Sequence, residues 1–173
     1  MTYIPRNLGK KLENTVKTFS ATYLGGARQC GKSTLVNKLT SLDNANYLTF
    51  DTTTIRLAAK KDPEAFINKL PKDKLNIIDE VQRVPNIYLL LKKWVDDRRF
   101  EGKLKSLFLL TGSSNLTAFP KLAKAMVGRM AVLTLYPFST AEIQQSNINF
   151  IEKLLSNNFT AGNYPDIDII KIQ

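Results

Sequence analysis

A glycine-rich stretch near the amino-terminal end constrains this chain more than any other feature. Residues 26–33 are Gly-Ala-Arg-Gln-Cys-Gly-Lys-Ser, which matches the pattern G-x-x-x-x-G-K-[ST] at every fixed position. Glycines allow a loop to direct several backbone N–H groups at one anion, and a helix that begins there aims its positive end at the same place. The stretch therefore predicts a loop that binds a polyphosphate.

The neighbouring residues favour a phosphate loop rather than a glycine-rich turn that binds no ligand. A strand-like run at 20–24 precedes the loop, and residues 35–39 continue with the apolar spacing of a helix. Lys32 is predicted to reach the outer phosphates, and the Ser33 hydroxyl is predicted to bind Mg²⁺. The candidates for contact with the ligand are Gly26, Ala27, Arg28, Gln29, Cys30, Gly31, Lys32, Ser33 and Thr34.

A second stretch, residues 75–80, is Leu-Asn-Ile-Ile-Asp-Glu. An apolar run that ends in two acids is typical of a buried parallel strand with a charged tip, as in a Walker B strand. Asp79 is predicted to hold Mg²⁺, directly or through water, and Glu80 to polarise the attacking water. The alternative is a strand that ends at acidic turn residues, and the phosphate loop in the same chain favours the catalytic interpretation.

Two further strand ends carry polar side chains. Residues 107–110 are apolar and are followed by Thr-Gly-Ser-Ser-Asn, so the hydroxyls of Ser113 and Ser114 are candidates to sense the γ-phosphate or position water. Asp51 follows a short strand at 47–50, where it could face a ligand or cap the next helix. In an open parallel sheet these carboxyl ends meet at one edge, and the sequence predicts that edge as the site.

Composition narrows the chemistry. The chain has no histidine, which excludes histidine bases, Ser-His-Asp triads and His-ligated zinc. One cysteine and no export signal predict a reducing cytoplasm, and no apolar run approaches the ~18–20 residues that span a membrane. The formal net charge is +10, and residues 1–42 hold seven Lys/Arg against one acid. This excess indicates a nucleic-acid or protein partner, or else a solvated basic surface.

The order of elements predicts the fold class. Strands alternate with helices after the phosphate loop, which predicts an α/β domain whose parallel sheet is covered on both faces. An amphipathic helix within 6–19 is expected to pack on the edge of that sheet, or else on a neighbouring subunit. Asp62 with Pro63 predicts one helix start, and the capping box from Ser139 to Glu142 predicts another.

Taken together, these motifs resemble a family of bacterial and archaeal AAA-like P-loop ATPases, in which an uncharacterised domain follows the ATPase core. The matching stretches are residues 26–34, 78–85, 110–114 and 128–139. The resemblance implies an ASCE-type P-loop NTPase: a three-layer α/β/α sandwich with a five-stranded parallel sheet. In that sheet the strand before Ser113 lies between the phosphate-loop strand and the strand ending at Asp79. ATP and Mg²⁺ are the implied ligands.

The sequence departs from this family at two points. Cys30 occupies a position where the family usually has a β-branched residue such as valine, and only its backbone is expected to face the phosphates. The chain stops at Gln173, whereas the family continues with a second domain of similar size. We therefore expect an ATPase core at 1–146 and a helical tail at 147–173 that begins a truncated second domain.

The leading hypothesis is Mg²⁺-dependent ATP hydrolysis, with Lys32, Glu80, Ser113, Ser114 and Arg129 as catalytic candidates. Arg129 is either a finger contributed to a neighbouring subunit of a homo-oligomer or a structural arginine paired with an acid. One rival is a nucleotide-gated module that binds nucleic acid or protein with negligible turnover. A phosphotransferase ranks last, because two acids after an apolar strand favour water as the acceptor.

Cys30 is also the only thiol. A thiol near a lysine and a helix start favours the reactive thiolate, which predicts labelling that Mg·ATP blocks. The alternative is an inert side chain turned into the core behind the loop.

Overall fold

The computed structural model describes residues 3–40, 45–100, 107–113, 126 and 128–145. The chain divides into two compact units, Pro5–Phe138 and a second that joins Met1–Ile4 to Ser139–Gln173. The predicted boundary after residue 146 stays a prediction, because it lies outside the described residues.

The first unit alternates helices and strands. Its helices are α1 (Leu8–Thr18), α2 (Lys32–Thr40), α3 (Thr53–Lys61), α4 (Pro63–Asn68) and α5 (Ile87–Phe100), with a 3₁₀ turn at Val81–Arg83. Its strands are β1 (Ala21–Gly25), β2 (Ala45–Thr49), β3 (Leu75–Asp79), β4 (Phe108–Gly112) and β5 (Met130–Thr134). The first four strands start and end within two residues of the predicted ones.

The five strands form one parallel sheet in the order β2-β3-β4-β1-β5. β4 therefore lies between the strand of the phosphate loop and the strand that ends at Asp79, which confirms the expected ASCE-type fold. Because all strands run in one direction, their carboxyl ends share one edge.

Helices cover both faces of the sheet. On one face, Leu12 and Val16 of α1 and Leu35 and Val36 of α2 pack on alternate strand residues such as Ile77. On the other face, residues of α3, α4 and α5 pack on a second set that includes Phe108. The amphipathic helix predicted in 6–19 is thus a core helix, and its apolar side anchors the segment that leads into the phosphate loop.

Local start signals are also confirmed. Asp62 caps α4 by accepting a hydrogen bond from the N–H of Ala65 at 2.9 Å, with Pro63 in the first turn. In the second unit, α6 (Thr140–Ile143) begins with the predicted capping box between Ser139 and Glu142. No helix among the described residues combines the length and apolar character that a membrane span requires.

Candidate functional site

Several of the predicted site residues line a cleft of about 650 Å³ at the carboxyl edge of the sheet. The cleft is lined by Arg28, Gln29, Gly31, Lys32, Ser33, Thr34, Asp51 and Glu80. A smaller cleft of about 290 Å³ at the same edge includes Gly26, Ala27 and Ser113. Its volume puts the larger cleft within the range of small-molecule sites.

Two glycines are needed for the shape of the loop. A Cβ atom at Gly26 would lie 2.4 Å from the carbonyl oxygen of Leu135 and 2.9 Å from Cys30 Sγ, so no larger residue fits. Gly31 has a φ of +92°, a backbone conformation that residues other than glycine rarely adopt. The close approach to the segment after β5 and the turn into α2 both depend on these positions.

Lys32 is held inside the loop. Its side chain is 5% exposed, and Nζ donates to the carbonyl oxygens of Gly26 at 3.0 Å and Ala27 at 2.8 Å. The ammonium group therefore lies within the curve of the phosphate loop, where a polyphosphate would replace these carbonyls as its partner.

Asp79 and Ser33 come together from β3 and α2. The Ser33 hydroxyl donates to Asp79 Oδ2 at 3.0 Å. The Asp79 carboxylate is buried at 5% exposure, and it also accepts the backbone N–H of Glu80 at 3.1 Å. The side-chain oxygens of the two predicted metal ligands are therefore next to each other.

Two hydroxyls that sequence reasoning did not assign complete the surroundings of Asp79. The Tyr47 hydroxyl donates to Oδ2 at 2.9 Å, and the Thr111 hydroxyl donates to Oδ1. Burial, followed by the hydrogen bond to Asp79, raises the pKa of Tyr47 above its usual range, so this hydroxyl stays a donor. Thr111 could have been identified from the alignment of β3 with β4. It carries a hydroxyl and lies one position beyond the last residue of β4 that pairs with β3, which places it beside Asp79.

Glu80 leaves β3 in a left-handed backbone conformation, with a φ of 55°. Its Oε2 atom accepts hydrogen bonds from the Gln82 amide and from the Ser113 hydroxyl, the latter at 3.3 Å. Burial, with a further contribution from the charge of Glu80, raises the pKa of Tyr23 to about 12. Two predicted catalytic candidates are therefore in contact, and Gln82 joins them without having been predicted. Ser114 lies outside the described residues.

Asp51 lines the cleft but does not cap α3. The cap residue is Thr52, which makes no side-chain cap, and the Asp51 carboxylate instead pairs with Arg83 at 2.6 Å. The cap interpretation is therefore wrong, because the ion pair with the turn after β3 holds the carboxylate at the mouth of the cleft.

Arg129 precedes β5 and therefore sits at the opposite edge of the sheet from the cleft. Its guanidinium forms an ion pair with Asp96 of α5. The hydrogen bond to Asp96 raises the pKa of Arg129 above its usual value, and burial lowers this pKa by a smaller amount. This geometry matches the structural alternative, while a finger offered to a neighbouring subunit stays a prediction.

Cys30 is buried at 6% exposure among the apolar residues under α1 and α2. Its carbonyl oxygen accepts a hydrogen bond from Arg6 at 2.7 Å. Arg6 also donates to the carbonyl of Tyr136 and lies 4.1 Å above the ring of Phe138. This arginine, which sequence reasoning missed, ties the phosphate loop to the segment after β5.

The Cys30 sulfur accepts a hydrogen bond from Lys32 Nζ at 4.0 Å, so it lies beside the loop lysine. We still expect Cys30 to resist a maleimide in the folded chain, because the residue is buried. Mass spectrometry of protein treated with and without urea measures the difference. Rapid labelling of the folded chain that Mg·ATP suppresses would contradict the buried position and restore the reactive-thiol hypothesis.

Solved structures share this fold at low identity. The Walker-type ATPase PABY2304 of Pyrococcus abyssi superposes with a TM-score of 0.57 at 15% identity, covering 89% of this chain and 63% of that one. Cdc6p from Pyrobaculum aerophilum gives 0.53 at 15% identity, covering 83% and 50%. A variant of Thermotoga maritima RuvB gives 0.55 at 18% identity, covering 80% and 47%. The chain thus spans less than two thirds of each, and no curated protein matches it significantly.

The sheet order, the glycine loop and these likenesses define the fold as that of a P-loop NTPase of the AAA-like type. Residues 18–144 match the model of a family described as AAA domain, and the chain belongs to that family. This confirms the resemblance that the motifs indicated.

Proposed function

We propose that the chain binds ATP with Mg²⁺ and hydrolyses it. The observation that supports this most directly is the pairing of Ser33 with Asp79 beside the loop-bound Lys32. A cation inside a glycine loop at the start of a helix suits a triphosphate, and the phosphate-loop residues 26–34 would bind it together. Glu80 lines the same cleft, which provides a carboxylate where water would enter.

The residues present fit Mg²⁺. Ser33 and Asp79 supply hard oxygen donors, and Mg²⁺ typically takes only one or two protein ligands beside water and phosphate oxygens. No cluster of three acidic, histidine or cysteine side chains occurs in the described part of the chain, and such a site needs none. When bound, the ion would neutralise charge on the phosphate oxygens.

Hydrolysis would use water as the nucleophile. Glu80 would accept a proton as the water oxygen bonds to the γ-phosphorus, and the bond from that phosphorus to the bridging oxygen would break. The products are ADP and inorganic phosphate. Lys32 would stabilise the developing negative charge, and Ser113, directly after β4, would orient the reacting groups.

Calorimetry and phosphate release test this proposal on the full chain. We expect ATP to bind with a Mg²⁺-dependent affinity and phosphate to appear at a rate above that of buffer. A chain that binds Mg·ATP but releases no phosphate would refute hydrolysis and favour the nucleotide-gated module. A chain that binds no nucleotide would refute both.

The binding-module alternative is favoured by the solvent side of α1. Lys10, Lys11 and Lys17 are exposed there, opposite the buried Leu12 and Val16. A basic helix face of this kind suits phosphate contacts with nucleic acid.

We expect the chain to bind duplex DNA at low salt and to lose affinity steeply as salt rises, because phosphate contacts release counterions. Fluorescence anisotropy over a salt series measures this, with Lys10→Ala/Lys11→Ala as the test variant and Lys60→Ala/Lys61→Ala as its control. Equal affinity of both variants, or no binding at low salt, would mean that the lysines of α1 form only a solvated basic surface.

A further inference from the structure

Gln82, in the 3₁₀ turn after β3, closes a ring of hydrogen bonds with Glu80 and Ser113. Its Nε2 atom donates to Glu80 Oε2 and to Ser113 Oγ, the latter at 3.0 Å. The Ser113 hydroxyl donates in turn to the same Oε2 at 3.3 Å. Donors and acceptors match throughout the ring, since an amide has two protons and a hydroxyl has one.

The ring treats the two oxygens of Glu80 differently. Oε2 accepts two hydrogen bonds, whereas no hydrogen bond from the described residues reaches Oε1. A carboxylate anchored through one oxygen has a fixed orientation and keeps its second oxygen for another partner. Glu80 lines the cleft, so that partner can be a water molecule.

The position of the Gln82 amide is set by packing at β4. Its Oε1 atom is buried and accepts no hydrogen bond within the described part of the chain. A Cβ atom on Gly112 would lie 2.7 Å from this Oε1 and 2.5 Å from the Tyr23 hydroxyl. Glycine at 112 therefore leaves the space that the amide occupies. A buried acceptor without a partner opposes folding.

We propose that Gln82 is a positioning residue for hydrolysis, an inference that rests on the proposed function. Together with Ser113 it anchors Oε2 of Glu80, which leaves Oε1 to accept the proton of the attacking water. Gln82 touches neither nucleotide nor water in this role, and it acts through the orientation of Glu80.

The first test does not depend on turnover. In the ¹⁵N-labelled, nucleotide-free chain, the side-chain NH₂ signals of Gln82 are identified by their loss in Gln82→Met. We expect these signals to shift in Ser113→Ala and in Glu80→Gln, while those of the exposed Gln144 stay in place. Unchanged Gln82 signals in both variants would overturn the inference.

The second test separates positioning from structure. Gln82→Met keeps the side-chain length but removes both donors, and we expect kcat to fall roughly 10-fold with the Kd for Mg·ATP changed less than about two-fold. The thermal midpoint should not fall, because the buried unpaired Oε1 is removed as well. Gln82→Glu, which puts a second carboxylate beside Glu80, should lower kcat further, and Gln144→Met is the control.

The outcomes distinguish this inference from the proposed function. Loss of turnover in Glu80→Gln with normal kcat in Gln82→Met would overturn the role of Gln82 and leave hydrolysis intact. A lower midpoint with proportionate losses of binding and turnover would assign Gln82 a structural role and also overturn the inference. A wild-type chain without turnover would refute hydrolysis, and the NMR shifts would still decide whether Gln82 holds Glu80.

Discussion

Replacing Lys32 by alanine is expected to weaken ATP binding about 100-fold, the effect of removing one charge-assisted contact from a desolvated polyphosphate. Lys32 is the cation whose Nζ lies inside the loop, held by the carbonyls of Gly26 and Ala27. The ammonium group is buried, so bulk water cannot easily take over its contact with the phosphates. Isothermal calorimetry with Mg·ATP measures the loss directly.

The controls for this prediction address folding and charge. Lys32→Met keeps the aliphatic stem that packs in the loop, and it should bind as weakly as the alanine variant. Lys60→Ala removes one exposed lysine from α3 and should bind like the wild type. Folded Lys32 variants with wild-type affinity would rule out the phosphate-loop interpretation.

Replacing Glu80 by glutamine is expected to abolish most turnover, by 100-fold or more on the scale of general-base contributions of about 10²–10⁴, while ATP still binds. The amide keeps the size of the carboxylate, and its oxygen can still accept from Gln82 and Ser113. It is far too weak a base to take a proton from water. Single-turnover phosphate release measures the loss of hydrolysis, and calorimetry measures whether ATP binding is kept.

Asp79→Asn should fail differently from Glu80→Gln. Asp79 accepts hydrogen bonds at both carboxylate oxygens, from Ser33 and Tyr47 at Oδ2 and from Thr111 at Oδ1. An asparagine presents an NH₂ group to one of these sets and loses the charge that attracts Mg²⁺. We therefore expect ATP affinity in this variant to depend little on Mg²⁺.

Exposed acids provide matched controls for both variants. Glu64→Gln in α4 and Asp73→Asn before β3 change the same groups at exposed positions and should leave binding and turnover unchanged. Wild-type hydrolysis by Glu80→Gln would reduce Glu80 to a turn residue, and unaltered Mg²⁺ dependence in Asp79→Asn would remove Asp79 from the metal site.

Features that depend on neighbours along the chain could be predicted from the amino-acid sequence alone. The glycine loop, the acidic end of β3 and the start signals at Asp62 and Ser139 each span a few residues, so their physics is local. The alternation of strands and helices likewise determined the parallel sheet, because a parallel pair needs a crossover connection. The order of strands came from family resemblance, and the sheet confirms it.

Contacts between side chains that are distant in sequence became evident only from the folded structure. Tyr47 and Thr111 reach Asp79 because β2 and β4 flank β3, and Arg6 reaches the carbonyl of Cys30 from a segment 24 residues away. Asp51 turned from a possible cap into an ion-pair partner, because the turn after β3 brings Arg83 to it. Hydrogen bonds and ion pairs act over a few ångströms, and sequence separation does not reveal that distance until the strands are aligned.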